Sequence, residues 1–91
     1  MTNDDINIRV DSSAAVLYAK RLGARIVASH EAPSDSGLIL NTDERGAVVG
    51  LQLLDALTVD SEWWRTHPDR RAVPEDLFCT VDRWLLSHVP A

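Results

Sequence analysis

Cysteine is nearly absent from this chain of 91 residues: Cys79 stands alone, so no disulfide can close within it. That agrees with a reducing compartment. Long apolar runs are missing too, since none approaches the roughly 20 residues that a membrane-spanning helix needs. The opening Met1-Thr2-Asn3-Asp4-Asp5 is acidic, whereas a secretory leader begins basic and turns apolar. Cytoplasmic residence is the expectation. Basic charge is also scarce, with nine Lys and Arg against 14 Asp and Glu and a net charge of −5. Phosphate backbones call for a basic footprint, and the basic pairs here are only Lys20-Arg21 and Arg70-Arg71, which weighs against nucleic acid as a partner. The glycines at 23, 37, 46 and 50 stand singly, so no glycine-rich phosphate loop is formed.

What is present suffices for one domain over residues 1–91. A hydrophobic fraction of 45% is normal for a globular protein and too high for a disordered one. A domain this short buries only about 60–65% of its unfolded surface, so pairing with a second copy would add stability readily.

The first half alternates with period two. Ile6, Ile8 and Val10 point one way and Asn7 and Arg9 the other, as in a half-buried strand. Asp11-Ser12-Ser13 makes a turn, and further strands are expected over about 14–21, 25–29, 37–41 and 47–54. The separators are Leu22-Gly23, a loop over 31–36 with Pro33, and the polar connection 42–46. No separator is long enough for a crossover helix, so sequential neighbours are expected to pair as an antiparallel meander over residues 6–56. Val49, Leu51 and Leu53 suggest one strongly apolar face. Val16, Tyr18, Val48 and Leu54 make the second face mixed, and something is expected to cover part of it.

The period changes in a helical tail over 57–91. Asp60-Ser61 offers N-cap side chains before a short helix at Trp63-Trp64, which Pro68 stops. Pro74-Glu75-Asp76 suits the first turn of a final helix ending near His88, before Pro90. Leu77, Phe78, Val81, Trp84 and Leu85 form one apolar stripe, which should lie on the apolar face of the sheet. The fold class is therefore α+β.

Three blocks in the sheet region carry a family resemblance. They are Asp11-Ser12-Ser13-Ala14-Ala15-Val16-Leu17-Tyr18-Ala19, then Gly37-Leu38-Ile39-Leu40-Asn41, then Gly46-Ala47-Val48-Val49-Gly50-Leu51-Gln52-Leu53-Leu54-Asp55-Ala56. Residues 6–56 resemble the small prokaryotic family catalogued as domain of unknown function 2283. The resemblance implies the five-strand meander and no established activity. Arg21 departs from it, standing where the family usually has an apolar residue, and the tail with all three tryptophans exceeds the family domain.

Chemistry is thinly signalled. His30, His67 and His88 lack metal-ligand spacing and read as surface or capping residues, and Cys79 has no cysteine partner. No cofactor is expected. The carboxylates Asp43, Glu44, Asp55, Asp60 and Glu62 fall at turns and caps. Cys79 lies opposite the apolar stripe and, with Leu86, makes a small outward apolar spot. One of Trp63 and Trp64 should enter the core while the other faces out. Together with Val16, Tyr18 and Val48, these residues are the candidate protein interface. The leading expectation is a non-enzymatic interaction domain that self-associates as a homodimer, or binds a small protein partner in a regulatory or antitoxin-like role. The alternative is a small-ligand binder or minor enzyme with its pocket between the tryptophan-bearing tail and the sheet.

Overall fold

The computed structural model describes residues 5–33 and 37–88, and of His88 the backbone alone. Positions 34–36 of the expected loop, Pro90 and the capping role of the His88 side chain lie outside the described residues. Five strands run as β1 (Ile6–Asp11), β2 (Val16–Arg21), β3 (Ala28–Glu31), β4 (Leu38–Thr42) and β5 (Val48–Leu53). A 3-10 turn at Ala56–Thr58 leads to α1 (Ser61–Arg65), and a second at Arg70–Ala72 leads to α2 (Glu75–His88). The fold is α+β, with one antiparallel five-stranded sheet, a short helix and a C-terminal helix.

The strands are not in simple meander order. Across the sheet they run β1-β2-β5-β4-β3, so β2 pairs with β5 and not with β3. Burial explains the sorting. All four residues of β3 are exposed, which suits an edge, whereas β5 carries the buried Val49, Leu51 and Leu53 and takes the centre. Residues 22–27 carry the chain past the ends of β5 and β4. Three interstrand spacings of about 4.8 Å must be crossed, which an extended segment of this length spans. The third strand consequently starts later than the alternation predicts, after Val27 N–H has bonded to the Thr42 carbonyl (2.8 Å).

Two loops use aspartate in the same way. The Asp11 carboxylate accepts from Ser13 N (3.1 Å), Ser13 Oγ (2.7 Å) and Ala14 N (3.3 Å), shaping the β1–β2 hairpin. Asp43 accepts from Arg45 N (2.9 Å) and Ala47 N (3.0 Å) between β4 and β5, where Gly46 takes φ +80°. These side chains supply acceptors that an open loop backbone lacks.

Leu17, Leu38, Leu51 and Leu53 line the covered face, and α2 closes it with Leu77, Val81 and Leu85. Asp60 caps α1 by accepting from Trp63 N (2.9 Å). That turn delivers Trp64 into the core, where its ring stacks on Phe78 at 4.9 Å and its Nε1–H donates to the Phe78 carbonyl (2.9 Å). Arg65 grips Asp82 (3.1 Å), tying α1 to α2. Arg21 ends β2 with a two-pronged ion pair to Asp76 in the first turn of α2, Nη2 to Oδ1 at 2.6 Å. The arginine at this strand end thus clasps the helical tail.

Candidate functional site

The open face of the sheet follows from pairing register, because directly opposed residues share a face. One row runs Arg9, Tyr18, Gln52, Ile39, Glu31 and the next runs Asn7, Lys20, Gly50, Asn41, Ser29. Both are mainly polar. In the middle of the second row Gly50 carries no side chain. A Cβ there would lie 2.9 Å from the Ala19 carbonyl oxygen and 3.3 Å from Asn41 Oδ1, so the close approach of neighbouring groups demands glycine.

A cleft of about 330 Å³ opens on these rows. Its polar wall is Asn7, Arg9, Tyr18, Lys20, Asn41 and Gln52, and Ile26 from the crossover segment overhangs it. The Arg9 guanidinium sits 5.1 Å above the centre of the Tyr18 ring, a cation–π contact that fixes the head without using its N–H edges. Asn41 is almost wholly buried and donates through Nδ2 to Ser29 Oγ (2.8 Å), which leaves its Oδ1 beside Gly50. Two cations and no carboxylate line the cleft, although the chain as a whole carries −5. The nearest acids, Asp11 and Glu31, stand outside the lining: Asp11 interacts with Arg9 from the hairpin turn, and Glu31 ends Arg9's row at the far edge of the sheet.

The residues singled out from sequence do not form one surface. Trp64 is 0% exposed and Trp63 packs against the core, so the space between tail and sheet is occupied by tryptophan and the cleft lies on the other face. Val48 also packs against the core, a correction to its expected place on the second face: the register shifts between Asn41 and Thr42, pairing Thr42 with Val48 and skipping Val49. Val16 is buried, and Tyr18 is a half-buried wall of the cleft. Cys79 is half-buried on α2, while Leu86 is 57% exposed there.

The titratable groups of the tail serve structure. His67, expected at the surface, is buried against the edge of Trp63 (4.9 Å), and its Nδ1 accepts from Asp69 N (3.0 Å). Burial holds its pKa below the ordinary value, with Asp69 acting against it. Burial and the nearby Glu75 carboxylate push the Cys79 thiol up, away from the reactive thiolate. Arg21 holds the Asp76 carboxyl below its usual range. Among the described residues no group of three His, Cys, Asp or Glu is arranged to hold a metal ion. Nor is any helix among them long and apolar enough to cross a membrane.

Searches of family models, curated proteins and solved structures found no match to this chain. The resemblance of residues 6–56 to domain of unknown function 2283 rests on its three blocks of residues alone. Sequence reasoning placed Asn7 and Arg9 away from the core but missed the cleft they help to form. It also missed Leu22 (60% exposed) and Val27 (57% exposed), which flank the crossover. Leu22 had a signal, as a large apolar residue in a turn beside Gly23, whereas Val27 was hidden because the alternation over 25–29 placed it in the third strand.

Proposed function

We propose that this chain is a non-enzymatic interaction domain that pairs with a second copy of itself along β3. The observation that supports the reading is the state of that edge. All four residues of β3 are exposed, the strand contains neither lysine nor proline and its one formal charge, Glu31, stands at its last position, and Val27 and Leu22 present apolar surface beside it. Sheet edges with little blocking charge are templates for another strand, whereas natural edges usually carry charges, prolines or a covering segment. Two copies meeting edge to edge would form one continuous sheet and remove Val27 from water.

Sedimentation velocity over a concentration series tests this. A dimer is expected whose dissociation constant rises by about tenfold or more in Val27→Glu, with the far-ultraviolet circular dichroism unchanged. A strict monomer at about 0.5 mM would overturn the proposal, since even weak specific association is visible there. A monomer that instead recovers one defined protein from its native host would transfer the role of the edge to that partner.

A further inference from the structure

We infer that the cleft on the open face binds a small organic anion, with its carboxylate or phosphate head between Arg9 and Lys20. Charge is the first reason. Lys20 is the only lysine of the chain, Arg9 stands one row away on the neighbouring strand, and no carboxylate shares their wall. Asp11 interacts with Arg9 from the hairpin turn, outside the lining, and two cations on a wall that itself holds no acid still favour an anion there. Geometry is the second. Tyr18 holds the Arg9 guanidinium by its face, so the donor edges that pair with planar oxyanions stay available.

The rest of the wall suits the body of such a molecule. Asn7, Asn41 and Gln52 present amides, which both donate and accept, and Ser29 fixes one of them through its 2.8 Å bond. Ile26 supplies an apolar overhang. Gly50 keeps a side chain from rising between Lys20 and Asn41. A volume of about 330 Å³ lies at the lower end of the roughly 300–1,000 Å³ typical of small-molecule sites. It is too small for a polymer to enter, and the basic residues of the chain form no run longer than a pair that would track a nucleic-acid backbone.

The test is NMR titration of the full chain with three probes: AMP for a phosphate head, N-acetylglycine for a carboxylate head, and N-methylacetamide as an amide without charge. One of the two anions should saturably shift the backbone amides of Tyr18, Lys20 and Gln52, and the neutral amide should not. Because Lys20 is the only lysine, its methylated amine gives one lysine side-chain signal, which should move with them. The double variant Arg9→Gln with Lys20→Gln should raise the dissociation constant by about tenfold or more. Arg71→Gln, an exposed arginine in the tail, should leave it unchanged. Which anion binds separates the phosphate from the carboxylate source. The inference falls if neither anion saturates by about 10 mM, if the double variant binds as well as the wild type, or if the neutral amide binds equally. Tighter binding of a single-stranded oligonucleotide would replace it with a nucleic-acid surface. Repeating the titration on Val27→Gln, which adds no charge beside Ile26, separates this result from the fate of the self-association reading.

Discussion

The two faces of the sheet are drawn from the same strands, one residue out of phase, and they have been put to opposite uses. On the covered face Leu17, Leu38, Leu51 and Leu53 meet the stripe of α2 and the Trp64 ring, and water is excluded. The open face pairs Arg9 with Tyr18, Lys20 with Asn7, and Asn41 with Gly50, and leaves a polar cleft. The difference separates what holds the chain together from what it offers to its surroundings. It also places the sheet's stability and its recognition chemistry on residues that substitution can address independently.

Breaking the covered face should have the largest effect. Trp64→Ala removes a fully buried ring, its stacking on Phe78 and its Nε1–H bond, at an expected cost of about 3–5 kcal/mol. That is much of the roughly 5–10 kcal/mol such a small domain has in total, and urea unfolding will measure it. A loss below about 1 kcal/mol would show that the tail is not held by this ring. Gly50→Ala blurs the contrast from the other side. Its Cβ would press on the Ala19 carbonyl, a backbone atom that cannot swing away, so a loss of about 1–3 kcal/mol is expected. A neutral result would mean that the open face does not depend on glycine there.

Next in size is a pH effect from the tail. The folded His67 pKa lies below its unfolded value near 6.5, because burial disfavours the charged ring. The unfolded chain therefore binds more protons just below that value. Stability is complete above about pH 6.5 and is lost as the pH falls towards the folded pKa. The melting temperature of the wild type should drop more between about pH 7.5 and pH 5.5 than that of His67→Gln, and parallel curves would reject the linkage. The smallest effect belongs to an amide side chain of the open face. Gln52→Ala should change stability by no more than about 0.5 kcal/mol, and a larger loss would mean that this side chain is also structural.

How much of this was readable depends on the range of the interaction that carries it. The α2 stripe and the Asp60 cap are local, and the period of Leu77, Val81 and Leu85 revealed the helix before any packing was known. The existence of the five strands was similarly written in their alternation. Their order was not, because the pairing of Leu17 with Leu53 leaves no mark in the residues between. Val48 was misplaced because a register shift inverts the parity that alternation assumes. The cleft was hidden for a compound reason. Arg9, Lys20 and Asn41 come together only once β2 has joined β5, so a correct reading of each strand still does not assemble it.

The β2–β5 pairing also bears on assembly. That seam joins a hairpin made by adjacent strands to β3, β4 and β5, and α2, which follows β5 in the chain, packs back across it onto β1 and β2. Closing the gap of about 35 residues between Leu17 and Leu53 is the non-local step. The hypothesis is that the two pieces are separable units and that residues 22–27 act chiefly as a tether. A chain cut after Gly23 should then reassemble from its two fragments on mixing, regaining the native fluorescence of Trp64, with Arg21 and Asp76 latching one fragment to the other. Fragments that stay apart at high micromolar concentration would rule out such a split protein.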